Sequence, residues 1–118
     1  MTKILLTILC LISLVACSSA PSSGRAAQYA ADKAALESAT KEGSSAALDR
    51  FIAAHPKSDW MAVAIYRRDS AALEEAKSIG TKEAFEDFLR RHPQSDWAEQ
   101  ARYFLKYGPI PTGSGRDL

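Results

Sequence analysis

His55-Pro56-Lys57-Ser58-Asp59-Trp60 returns, with one change, as His92-Pro93-Gln94-Ser95-Asp96-Trp97. The offset is 92 − 55 = 37 residues, and at that offset residues 27–66 align on residues 64–103 with 18 of the 40 positions identical. A fixed period in this range marks a repeat architecture. The hexapeptide itself reads as a corner between helices. Proline disfavours helix in the residue before it, so one helix ends by His55 and its copy by His92. Ser58 or Asp59 is placed to cap the next helix, and Asp96 with Glu99 has the spacing of a capping box. Trp60 and Trp97 then open the following helices. At these positions they suit core packing against the helix before the corner, and a tryptophan there also suits an exposed anchor for a partner.

Working outward, the chain between corners is helical throughout. Arg25 to about Glu42 is rich in alanine, the strongest helix former, and Gly43 supplies a left-handed stop. Ser44 caps a second helix, whose Ala47, Leu48, Phe51 and Ile52 form one apolar stripe. A third helix from Trp60 to Ile79 is stopped by Gly80. Thr81 caps a fourth, in which Ala84, Phe85, Phe88 and Leu89 restate the stripe of the second. Trp97, Ala101, Phe104 and Leu105 line a fifth, closed by Gly108-Pro109. The order long–short–long–short–truncated long predicts an all-α fold, a short α-solenoid of antiparallel helix pairs with about five helices. Its repeat units are 27–63 and 64–100, with a closing helix at 96–107. Ala27, Ala64 and Ala101 mark one face of the three longer-type helices, where a small residue lets a neighbour approach closely. Tyr29, Tyr66 and Tyr103 follow two residues later. One such unit cannot bury its apolar face alone, and stacking supplies the continuous core.

The N-terminus is a second fixed point. After Met1-Thr2-Lys3, residues 4–16 form an apolar run of 13 residues. A bilayer core needs roughly 20 residues, so the run has the length of a signal-peptide apolar region rather than of a membrane span. It ends Leu14-Val15-Ala16-Cys17, which resembles the bacterial lipobox. That resemblance implies that 1–16 is removed and that Cys17 carries covalent lipid (diacylglycerol and palmitate-type chains) as the first mature residue. Acyl chains at about 0.8 kcal/mol per buried CH₂ make a durable anchor. Ser18 after the cysteine resembles the outer-membrane sorting pattern, in which Asp would imply inner-membrane retention. The expectation is a lipid-anchored outer-membrane protein facing the periplasm. Residues 17–24 read as the lipidated cysteine and a flexible linker reaching at most about 25 Å. Residues 108–118 read as a disordered tail.

Composition narrows the function classes. The chain has 118 residues, enough for one domain, and a formal charge of +1. Losing Lys3 leaves 14 basic against 14 acidic residues. That balance argues against capture of nucleic acid through charge. No phosphate-binding glycine loop, basic-aromatic stripe or second membrane segment is present, and no small-molecule substrate is evident. Cys10 and Cys17 both fall in the export region, which leaves no structural disulfide.

Phe51-Ile52-x-x-His55-Pro56-x-Ser58-x-Trp60-x-x-x-Ala64 and Phe88-Leu89-x-x-His92-Pro93-x-Ser95-x-Trp97-x-x-x-Ala101 resemble the tetratricopeptide-like repeats of bacterial envelope proteins. Those repeats occur in the outer-membrane-assembly lipoprotein and in the periplasmic coordinator associated with the Tol–Pal system. The resemblance covers residues 27–105 and implies helix pairs that present a concave protein-binding surface. The period departs from the usual one of about 34 residues, and His precedes the proline where an aromatic is common.

Little points to chemistry. His55 with Asp59, and His92 with Asp96, invite a metal or acid–base reading. A zinc site, however, needs three or four converging ligands, and no nucleophile accompanies either pair. Both imidazoles sit at helix C-termini, where they suit capping of orphan carbonyls. The expectation is a non-enzyme with no cofactor beyond the lipid. Its function is that of a membrane-anchored interaction or scaffold module binding an envelope protein or itself. The alternatives are a structural lipoprotein that contacts peptidoglycan and a metal-binding protein using His55 and His92. Candidate partner contacts are Trp60, Trp97 and the basic pairs Arg67-Arg68 and Arg90-Arg91.

Overall fold

A computed structural model describes residues 21–108, with side chains from Gly24 onward. The signal segment, Cys17, the first part of the linker and the tail beyond Gly108 lie outside the described residues. Within them the fold is all-helical, with five helices and no strand. These are α1 (Pro21–Glu42), α2 (Ser45–Ala54), α3 (Met61–Ile79), α4 (Lys82–Arg91) and α5 (Ala98–Tyr107). Packing is sequential: α1 on α2, α2 on α3, α3 on α4 and α4 on α5. No described helix is long and apolar enough to cross a membrane.

The helix boundaries have local causes. Gly43 and Gly80 take φ of 78° and 70°, the left-handed values that a side chain resists, and end α1 and α3. Ser44 Oγ accepts from the Ala47 N–H at 3.1 Å, and Thr81 Oγ1 from the Ala84 N–H at 3.3 Å, as the sequence predicts for N-caps. α1, by contrast, starts at Pro21 rather than Arg25, inside the stretch read as flexible linker. Proline is well suited to the first turn of a helix, where its missing N–H leaves nothing unsatisfied.

The core consists of two clusters related by the 37-residue offset. Leu36, Leu48, Phe51 and Ala64 form the first, joined by the partly buried Ala35, Ala39, Ile52, Val63 and Trp60. Leu73, Ala76, Phe85, Phe88, Ala101 and Phe104 form the second, joined by Ala72, Ala84, Leu89, Leu105 and Trp97. α3 serves both, with Ala64 in the first and Leu73 and Ala76 in the second. Ala64 and Ala101 are each 0% exposed, so the small side chain permits close approach there. Ala27, their copy on α1, is exposed because no described helix precedes α1.

Candidate functional site

Each hexapeptide forms the same pair of linked turns. The Ser58 N–H donates to the His55 carbonyl at 3.0 Å and the Met61 N–H to the Ser58 carbonyl at 3.1 Å. The copies, Ser95 to His92 and Ala98 to Ser95, measure 3.2 and 3.0 Å. Pro56 and Pro93 occupy the second position of the first turn, where their fixed φ is favourable. The serine hydroxyls accept from the tryptophan two residues on, Trp60 N–H to Ser58 Oγ and Trp97 N–H to Ser95 Oγ, both at 3.2 Å. The serines therefore brace the corner itself. Trp60 and Trp97 are the N-cap residues, and neither makes a side-chain cap hydrogen bond. The expected capping box does not form: Glu99 pairs forward with Arg102 at 2.5 Å instead of reaching back towards Asp96.

The histidines are C-cap residues, as the sequence predicts, with backbone N–H groups bonded to Phe51 and Phe88 carbonyls at 2.9 and 2.8 Å. Their rings do a different job from carbonyl capping. Each lies beside the phenylalanine four residues earlier, at 4.7 Å for Phe51–His55 and 5.2 Å for Phe88–His92. Each also directs Nδ1 at a buried aspartate on the longer helix of its pair. His55 Nδ1 lies 2.9 Å from Asp32 Oδ1, and His92 Nδ1 lies 3.2 Å from Asp69 Oδ1. Asp59 and Asp96, the aspartates nearest in sequence, are exposed and do not pair with the rings. Asp32 and Asp69 are the residues that sequence reading missed. The available signal was an aspartate recurring at the 37-residue offset, four residues before a core leucine in each repeat.

The two corners differ in how the aspartate is satisfied. Around Asp32, the Ser58 hydroxyl, Gln28 (Nε2 to Oδ1, 2.6 Å) and His55 hold the carboxyl below its usual range, against the opposing effect of burial. Position 65, the copy of Gln28, is isoleucine. Arg68 replaces it, placing Nε and Nη2 each 2.8 Å from Asp69 Oδ1 and Nη1 3.4 Å from Asp49 on α2. His92 is left close to Asp69 but off the line of a hydrogen bond. Its imidazole is held below its ordinary value by burial, against the opposing pull of Asp69 and Asp49 and with smaller help from Arg68 and Arg91. Among the described residues no group of three or more His, Cys, Asp or Glu side chains converges as a metal site would require.

The surface feature these corners build is aromatic. Trp60 covers Tyr29 at 4.9 Å between ring centroids, and Trp97 covers Tyr66 at 5.4 Å. Trp60 Nε1 also donates to the Tyr29 carbonyl at 3.3 Å, whereas Trp97 Nε1 is buried without a partner. Both tryptophans are half-buried against their core clusters, so the core-packing reading describes them while one edge stays at the surface. Tyr103 meets Tyr107 at 4.9 Å at the far end. Six large hydrophobic residues are exposed among those described, and five belong to this row: Tyr29 (45%), Ile65 (39%), Tyr66 (49%), Tyr103 (49%) and Tyr107 (63%). Ile79 is the sixth. The row lies along α1, α3 and α5, and the corners link one rung to the next.

The basic pairs are engaged within the chain. Arg67 Nη1 donates to Thr40 Oγ1 on α1 at 3.0 Å, and Arg68 belongs to the second corner. Arg90 and Arg91, both exposed, converge on Asp87 and hold its carboxyl below the usual range. Comparison with family models, with curated proteins and with solved structures finds no match to this chain.

Proposed function

We propose that this protein is a membrane-anchored lipoprotein, held to the outer membrane and facing the periplasm, that acts as an interaction module in the cell envelope. Its helices form a short α-solenoid of tetratricopeptide-like pairs. The observation that carries the reading is the row of exposed tyrosines backed by the corner tryptophans. Tyrosine and tryptophan combine a large apolar surface with a polar handle and little entropy to lose, which suits them to interfaces. The repeat delivers them at one register of successive helices, so the row has a common face rather than a scattered distribution.

The lipobox supplies the tether. With α1 beginning at Pro21, Cys17 is four residues from the first helical residue, a reach of roughly 14 Å. The aromatic face then works beside the lipid head groups. Replacing Cys17→Ser tests the anchor. Acyl labelling and membrane fractionation are expected to show loss of both lipid and membrane retention, and an acylated or membrane-bound Cys17→Ser protein overturns it. In-cell photo-crosslinking from Trp60 and Trp97 tests the interaction module. Adducts to a protein support it, and adducts to glycan strands alone favour the peptidoglycan alternative.

A further inference from the structure

We infer that the aromatic face is closed by a second copy of this chain, in a two-fold dimer whose axis runs along α3. The inference rests on the interaction-module reading and names its partner. A two-fold interface requires one surface to be complementary to itself. The 37-residue register makes that property testable row by row. Residues three and four apart on a helix share a face, so Arg25, Gln28 and Tyr29 on α1 correspond to Ala62, Ile65 and Tyr66 on α3, and to Glu99, Arg102 and Tyr103 on α5. Rotation about an axis along α3 sets α1 opposite the partner's α5 and α3 opposite its own copy.

Each row then meets a suitable opposite. Arg25 faces the partner's Glu99, and Glu99 faces the partner's Arg25, so the charged ends pair across the axis. Ala62 and Ile65 meet their own copies on the axis, where a charge would meet itself, and both are uncharged and exposed. Tyr66 meets Tyr66, and Tyr29 meets the partner's Tyr103. Glu99 is presented outward: its side chain is 86% exposed, held by Arg102 at 2.5 Å on the same helix. A partner cation therefore completes a carboxylate flanked by two bases. Closing the face also covers five of the six large hydrophobic residues left exposed among those described. A contiguous exposed apolar patch on a soluble domain marks an interaction site.

The test uses the full-length protein in its own membrane, with a photoreactive phenylalanine derivative in place of Tyr66. Irradiation is expected to give an adduct of twice the chain mass. Arg25→Glu and Glu99→Arg are each expected to lower its yield about tenfold, because both symmetry-related pairs become repulsive. The combined reversal is expected to restore it. A dimer adduct indifferent to both reversals overturns the proposed register. An adduct to a different envelope protein, without the dimer, overturns the inference and leaves the interaction module standing. Absence of any adduct from probes at Tyr29, Tyr66 and Tyr103 defeats both.

Discussion

The first and second corners carry the same five-residue identity in a six-residue stretch, yet they solve one electrostatic problem in two ways. Each buries an aspartate beneath a histidine. A buried carboxylate needs hydrogen bonds or an opposite charge to be tolerated. Asp32 is satisfied by neutral donors and a well-aligned imidazole, and Asp69 by the guanidinium of Arg68. The change at one site, glutamine to isoleucine from position 28 to 65, removes a donor and exposes an apolar side chain on the aromatic face. The change at another, alanine to arginine from 31 to 68, restores the lost donor. The pair of changes shows how a repeat can alter its surface and keep its buried geometry.

Removing the guanidinium is the strongest way to break this comparison. Arg68→Ala leaves Asp69 buried with only an off-line imidazole, and unpairing a mostly buried charge costs about 3 kcal/mol. Urea denaturation is expected to show that loss. Gln28→Ala is expected to cost less, because Asp32 keeps the Ser58 hydroxyl and His55. Equal losses in the two variants would mean that the corners are satisfied alike.

The second effect is acid sensitivity. His92 has a folded-state value below its ordinary 6.5, so the unfolded chain binds its proton first. Stability is therefore intact above about pH 6.5 and falls as the pH drops from there towards the folded value. Asp32 and Asp87, held below 3.8, act in a lower window: their stabilisation is present above that value and is lost as the pH falls through their folded values. A thermal-unfolding series against pH is expected to show an onset near 6.5 that disappears in His92→Gln. An onset that persists in that variant assigns the acid loss to another group.

Much of this was legible in the sequence, and the rest was not, for a common reason. The glycine stops, the Ser44 and Thr81 caps and the proline-terminated helices follow from chemistry within four residues of each boundary. The doubled core follows from the 37-residue register. The pairing of His55 with Asp32 spans 23 residues, and that of His92 with Asp69 spans the same distance. Local pattern favours the aspartates four residues away, Asp59 and Asp96. The capping box at Asp96 and Glu99 has the right spacing, but the serine-braced corner places Trp97 rather than Asp96 at the N-cap, and Glu99 pairs with Arg102. The Tyr29–Tyr66–Tyr103 register was visible, but exposure depends on which side of each helix the short helices cover. α1 also begins earlier than its alanine-rich stretch suggests, because Pro21 is a start signal set within otherwise linker-like residues.

The tryptophans give the third and smaller effect. Both rings contribute similar packing, so Trp→Phe removes a similar apolar volume at either corner. At Trp60 it also removes the indole bond to the Tyr29 carbonyl. At Trp97 it removes a buried donor that has no partner. Trp60→Phe is accordingly expected to be more destabilising than Trp97→Phe by about 1 kcal/mol. Denaturation midpoints in the opposite order would show that Trp97 Nε1 finds an acceptor in solution.

The smallest expected effect separates the arginine from the corner that hosts it. Ala31→Arg places a guanidinium where Arg68 stands in the second repeat. It has no work to do there, since Asp32 already holds its complement of donors, and no described helix precedes α1 to offer a counterpart of Asp49. The side chain faces solvent, and stability is expected to stay unchanged. In a Gln28→Ile background the same substitution replaces a missing donor and is expected to recover most of the loss that Gln28→Ile causes alone. Recovery of that kind makes position 65 the reason for Arg68. An Ala31→Arg variant that stabilises the unaltered first corner would instead show that Asp32 is short of a partner, and the two corners would then be variations on one unsatisfied site.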